Sequence, residues 1–269
     1  MILCGWGVNM EIIDKSIELN RKMAYVGKLG KSRESFCLEY IKKKQTYIEP
    51  LTLQLLKQIE KEGKTTPCKQ GCIYSTCCHE YVDANLQECE AIVYYLYQNE
   101  NILSAFLKNY EIWRQKEKEA VELYKETEIL RLEIRAFNKP PIQKMERLEH
   151  GLPEQYFNLN MPCPFLDNNQ CLIHDVRPLT CVAYYSVSPL ELCDPLSAKR
   201  PRIKQSHEIP FLSDRTFYYA KLDFPSFSLM PLGVYRIISE GYSYLSKIRG
   251  IGNIKFDAMQ QPEIAAIKI

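Results

Sequence analysis

The sequence predicts a mainly α protein: a helical domain with a long helix or helical hairpin, and two cysteine-bearing loops converging on a metal site. Three observations carry that expectation. Apolar and aromatic residues recur in steps of three and four from Leu103 to Phe137, the period of one helix face. Four cysteines fall within residues 68–78, "CKQGCIYSTCC". A second set, Cys163, Cys171, Cys181 and Cys193, follows beyond the periodic stretch.

Length and composition set the frame. A chain of 269 residues can bury a substantial core without crosslinks. Apolar content of 46% with 25% charged residues is globular rather than disordered. One domain over 1–269 is expected, with N-terminal helices in 1–65 and a cysteine-cluster region in 66–193. That region carries a helical insertion over about 100–138, and an irregular segment and a helix occupy 194–269. The formal net charge of +2 gives no reason to invoke nucleic acid or an anionic membrane. No window reaches the roughly eighteen apolar residues of a membrane span. The opening "MILCGWGVNMEIIDK" lacks a basic n-region and makes a poor signal peptide, and Met10 is an alternative start. A cytoplasmic protein is therefore expected.

The elements follow in chain order. "SRESFCLEYIKKKQTYIEPLTLQLLKQIEKEG" reads as one or two helices, from Ser32 as N-cap to Gly63 as the stop. "TTPCKQGCIYSTCC" breaks the period and reads as a loop. "NLQECEAIVYYLYQNE" resumes it, with Ile92, Tyr95 and Leu96 on one side. The clearest seam comes next: Leu103, Phe106, Tyr110, Trp113, Glu117, Ala120, Leu123, Thr127, Leu130, Ile134 and Phe137. Nine of these eleven positions are apolar or aromatic, so the seam packs on a neighbouring helix; Lys116, Lys118, Glu119 and Glu122 lie off it, toward water. "NKPP" at 138–141 ends the run, because proline removes a donor and restricts its predecessor. Ten of the fifteen prolines lie between Pro153 and Pro231, which predicts mostly irregular chain, with "TFYYAKLDF" as one poor strand. A last helix is expected over "PLGVYRIISEGYSYLSKI", with Val234, Ile238, Tyr242 and Leu245 facing inward.

Eleven cysteines cannot all pair within one chain, and a reducing compartment disfavours disulfides. Clustered thiols then point to metal or to chemistry. The candidate ligands are Cys68, Cys72, Cys77 and Cys78 in the first loop and Cys163, Cys171, Cys181 and Cys193 in the second. Thiolate is the ligand form, and a metal favours it. Zinc knuckles use C-x2-C or similarly short spacings, and no C-x2-C occurs anywhere in the chain. Iron–sulfur clusters accept a wider range of spacings, which tilts the choice toward iron–sulfur while leaving zinc open. Eight cysteines allow two four-cysteine sites, one site with spare thiols, or one polynuclear cluster. Neighbouring side chains diverge, so Cys77 and Cys78 can share an ion only on a sharply bent loop.

Other residues have a functional and a plain reading. Arg177 can offset the charge of a thiolate-rich centre from outside its ligand shell, or form a surface salt bridge. His79 and His174 flank candidate ligands, although a loop histidine is more often a hydrogen-bonding group. Asp175 reads as a cap for the turn that follows. Cys37 and Cys89 fall on predicted helices and read as core; Cys4 lies apart from both groups. The tyrosines, Tyr94, Tyr95, Tyr97, Tyr184 and Tyr185 among them, read as packing.

The blocks "CKQGCIYSTCCHEYVDANLQECEAIVYYL" and "CPFLDNNQCLIHDVRPLTCVAYYS" resemble the YkgJ-like, CxxCxxCC proteins, described as zinc- or iron-chelating. In the second block Cys-Pro-Phe-Leu, Cys-Leu-Ile, Arg177-Pro178 and Cys181 stand in that family's order. Two departures stand out: "IYST" puts four residues between Cys72 and Cys77 where the family has two, and His174 replaces a common tyrosine. The resemblance implies a cysteine-cluster metal-binding protein holding zinc or an iron–sulfur centre. A similar cysteine pattern in flagellin lysine-N-methylases implies an alternative, an iron–sulfur enzyme that methylates lysines of a protein substrate. A thiol–disulfide redox protein is the third reading. No G-x-G-x-x-G or P-loop is present, and C-x3-C-x4-C differs from the spacing of radical S-adenosylmethionine enzymes, so the sequence shows no cosubstrate cradle.

Overall fold

The computed structural model describes residues 49–64, 74–84, 86–137, 139–194, 203–205 and 228–240, with 38, 41–42, 45–46 and 197 as short pieces. Helices α1 (Glu49–Lys61), α2 (Leu86–Gln98), α3 (Glu100–Trp113) and α4 (Glu117–Arg135) come first. Helices α5 (Ile142–Glu146), α6 (Leu152–Asn158), α7 (Leu179–Ala183) and α8 (Met230–Glu240) follow, so the described chain is mainly helical. It divides into two compact units. Ser32, Tyr242, Leu245 and the expected strand "TFYYAKLDF" lie outside the described residues.

In one unit α2 packs on α8. Their contact faces follow the helical period: Cys89, Ile92, Val93 and Leu96 from α2, and Val234, Ile237 and Ile238 from α8, are all buried. Pro231 sits in the first turn of α8, where a missing N–H costs nothing. Gly233 is required by close approach. A Cβ there would lie 2.5 Å from Ser228 Oγ and 2.8 Å from Cys89 Sγ. Cys89 is a core residue, as its helical position predicts.

The other unit holds both cysteine loops. Helix α1 ends on Gly63 at φ 76°, with the Lys64 N–H bonded to Ile59 O at 3.2 Å and the Gly63 N–H to Glu60 O at 2.9 Å. This is the left-handed glycine stop that satisfies orphan carbonyls. The inner residues of α1, Leu56 and Ile59, pack on Tyr185 and Val187.

The periodic stretch is one long helical run rather than a hairpin folded on itself. Helices α3 and α4 are joined by a 3-10 turn, Arg114–Lys116, and Lys116 leaves helical angles at φ −118°, ψ 17°. Phe106, Tyr110, Trp113, Ala120, Thr127 and Leu130 are buried, whereas Phe137 at the end of the seam is 46% exposed. The hairpin forms one element later. Helix α5, the π turn Arg147–Gly151 and α6 return along α4. Lys144 pairs with Glu133 at 2.7 Å, Arg147 Nε with Glu126 at 2.7 Å, and Lys116 donates to Leu159 O, a falling register along α4 against a rising one on the return. Irregular chain was expected from Pro153 onward. Instead Pro153 lies in the first turn of α6, the one part of a helix that accepts it.

Phe106 stacks on Phe165 with centroids 4.4 Å apart, and Tyr110 on Trp113 at 5.4 Å. The Phe106–Phe165 stack fastens the second cysteine loop to α3, and the Tyr110–Trp113 stack lies within that helix. Asn109 of α3 adds a bond from its amide to Pro164 O at 3.1 Å.

Candidate metal centre

Chain reversal shapes the second loop. Strands β1 (Leu166–Asp167) and β2 (Gln170–Cys171) pair antiparallel, Leu166 opposite Cys171. The turn between them is Asn168 at φ 47° and Asn169 at φ 60°. Two successive left-handed residues are what a two-residue hairpin demands, and asparagine tolerates them. The hairpin carries Cys171 back toward Cys163, with Leu172 N–H bonded to Phe165 O at 2.9 Å and Leu166 N–H to Cys163 O at 2.8 Å. Cys181 lies on α7, which begins at Pro178.

The first loop is sharply bent. Ser75 takes φ 53° and starts the 3-10 turn Thr76–His79, which carries Cys77 and Cys78. Cys78 N–H donates to Ser75 O at 2.7 Å. Side chains one residue apart on a 3-10 turn point about 120° apart. Even so, Cys77 and Cys78 are linked by a side-chain hydrogen bond.

The two loops are joined directly. Cys163 N–H donates to Cys78 O at 2.6 Å, and Ser75 Oγ donates to Asn169 O at 2.8 Å. Residues more than eighty apart in the chain are thus held backbone to backbone at their cysteines.

Electrostatics show which sulfurs share the space. The hydrogen bond with Cys77 is the largest influence on Cys78 and favours its thiolate. Burial and the charges of Cys163, Cys171 and Cys181 together outweigh it and raise the Cys78 pKa. Burial pushes the Cys163 thiol well above its ordinary range; a backbone hydrogen bond from Phe165 opposes this, and Cys171, Cys181 and Cys77 add to it. Cys78 and Cys163 thus both feel Cys77, Cys171 and Cys181. Cys78 and Cys163 are both held toward the thiol form by this setting. A divalent ion reverses that preference.

The remaining candidates fall as follows. Cys68, Cys72, Cys4 and Cys37 lie outside the described residues. Cys193 ends a 3-10 turn over Leu190–Cys193 and is partly buried. His79 is partly buried, its ring 5.9 Å from Phe157. His174 is 60% exposed with its Nδ1 3.6 Å from Asp175, which places it on the surface beside a carboxylate. The N-cap positions of the 3-10 turn His174–Val176 and of α7 are Ile173 and Pro178, and neither provides a side-chain cap.

Two orphaned polar atoms bear on whether the site suits a thiolate-bound metal. Thr76, beside Cys77, is 4% exposed, and its Oγ1 has no hydrogen-bond partner among the described residues; the same holds for buried Nε of Arg177. Both are donors, the kind of group that thiolate sulfur or another anion accepts from. Soft thiol donors in this number also suit zinc or iron–sulfur. Geometry stops short of a closed cage: among the described residues no group of three or more His, Cys, Asp or Glu is arranged to hold an ion. The thiols share a neighbourhood rather than a finished coordination sphere.

No family model, no curated protein and no solved structure matches the chain. Among the described residues no helix is long and apolar enough to cross a membrane.

Proposed function

We propose that this chain is a metal-binding protein whose two cysteine loops hold zinc or an iron–sulfur centre. One observation carries the reading: the Cys163–Cys78 backbone bond, which joins the two cysteine loops at their cysteines. Cys78 and Cys163 both have raised pKa values there, and a bound cation is the simplest group that reverses that preference. The orphaned donors of Thr76 and Arg177 suit a centre with net negative charge. Cys68 and Cys72 precede this region closely in sequence and are proposed to complete the donor set. Zinc would supply a structural crosslink, and an iron–sulfur cluster would add electron transfer.

The test is metal and acid-labile sulfide content of protein purified without air, with its visible spectrum. Iron and sulfide in similar amounts, with a brown colour, identify an iron–sulfur centre. Colourless protein with stoichiometric zinc identifies a zinc site. Apoprotein that gains neither metal on reconstitution and folds normally refutes the proposal. Cys163→Ser is expected to abolish binding, because Cys163 is central to the interacting thiols. Cys193→Ser in parallel shows whether Cys193 is also a ligand.

A further inference from the structure

We propose that Asp83 is a positioning residue of the thiol cluster, its carboxylate holding the helix that carries Cys181 against the first cysteine loop. The inference rests on the metal-binding reading above and names how that site is kept in register. The first loop leaves its 3-10 turn through Glu80 and Tyr81 and reaches Asp83 within a few residues. On the far side, Thr180 immediately precedes Cys181 in α7. Thr180 Oγ1 donates to Asp83 Oδ1 at 3.0 Å. Arg131 of α4 lies 3.4 Å from Asp83 Oδ2 through Nη1, donates from the same nitrogen to Glu128 at 2.6 Å, and donates through Nη2 to the Tyr81 hydroxyl at 3.1 Å.

The carboxylate is thus gripped at both oxygens by groups from two other elements. Its side chain is 14% exposed, so turning away toward water would forfeit both partners. A buried carboxylate is tolerable only while it is paired and hydrogen-bonded, which makes this arrangement well defined. Its place also matches a need. Backbone contact through Cys78 ties down the Cys163 arm of the second loop, and Ser75 ties down the hairpin that carries Cys171. The Asp83–Thr180 bond does the same for the Cys181 arm. Helix α7 is only five residues long and starts at Pro178 without a side-chain cap, so its first turn gains from an external hold.

The experiment uses the full reduced chain, cobalt(II) as the probe metal, and the variants Thr180→Val, Thr180→Ser and Asp83→Asn. Cobalt titration followed by thiolate-to-cobalt absorption gives affinity and ligand environment. The alkylation rate of Cys181 in metal-free protein, read by mass spectrometry, gives a readout independent of metal. Thr180→Val is expected to weaken cobalt binding about tenfold or more, the usual effect of losing an outer-shell support, and to speed Cys181 alkylation. Thr180→Ser keeps the donor and should behave as wild type. Asp83→Asn keeps the acceptor for Thr180 but loses the Arg131 charge pair, and is expected to fall between them. If Thr180→Val unfolds, Asp83→Asn and Thr180→Ser still carry the comparison. Wild-type affinity and alkylation in both Thr180→Val and Asp83→Asn overturn the positioning role alone. A wild-type chain that binds no cobalt and gains neither zinc nor an iron–sulfur centre on reconstitution overturns the metal reading, and this inference with it.

Discussion

Replacing Phe165 with alanine should damage the fold and the second cysteine loop together. Its ring is fully buried and stacks on Phe106 at 4.4 Å and 13°, while its backbone holds the hairpin through Leu172. A buried phenylalanine removes on the order of 200 Å² from water, worth about 5 kcal/mol at ~25 cal/mol per Å². Alanine keeps a small part of that, and the cavity left against Phe106 adds a cost, so roughly 3–5 kcal/mol is expected. For a domain of this size each kcal/mol lowers Tm by about 2–4 °C, so the midpoint should fall by roughly 6–20 °C. Urea unfolding of the reduced, metal-free protein, followed by circular dichroism, gives the free energy. Thiol alkylation of Cys163 in native buffer gives the local effect, which should quicken because the Phe165 backbone contact to Cys163 loosens. A loss under about 1 kcal/mol, with Cys163 alkylated at the wild-type rate, refutes the view that this stack fastens the loop to α3.

Three further outcomes are expected. Gly233→Ala should cost about 1–3 kcal/mol by overpacking Ser228 and Cys89, and Gly233→Ala with Cys89→Ala should recover part of it; equal stability of wild type and single variant in urea would count against that close approach. The metal-free fold should lose stability as pH rises above ~8.5, where unfolded thiols ionise. Cys163 and Cys78 have raised folded pKa values, so the native state keeps protons that the unfolded state has shed; their contribution is complete below the unfolded pKa and fades toward the folded one. Tm measured from pH 7 to 10 checks the sign, and a Tm that rises over that range contradicts it. Glu133→Gln, which breaks an exposed pair with Lys144, should change stability by under ~1 kcal/mol in the same urea assay, since such pairs are screened by water.

Local residue chemistry made much of this protein legible before folding was considered. The seam from Leu103 to Leu130, the glycine stop at Gly63, the break at "NKPP" and the inward faces of α2 and α8 each depend on periodicity or on the backbone limits of single residues. These act over a few positions, and reading along the chain detects them. "DNNQ" belongs with them: two asparagines between extended residues are a hairpin signal, and the turn at Asn168–Asn169 was legible there though not anticipated. The helix over Leu152–Asn158 was obscured because proline was weighed as a breaker without regard to its place in a first turn.

The gathering of the cysteines was decided by tertiary structure. Spacing marks two groups of thiols, but not that the return arm α5–α6, rather than a fold within the seam, brings Cys163 to the backbone of Cys78. Nor does it reveal that Asp83, Arg131 and Thr180 meet. Those contacts join residues far apart in sequence, and each depends on packing whose energy is spread over many side chains. The sequence by itself determined the helices, their ends and the supply of thiols, because these follow from short-range sterics and side-chain chemistry. Only the folded chain decided which thiols share a space, because burial and charge act through distances that the linear order does not contain.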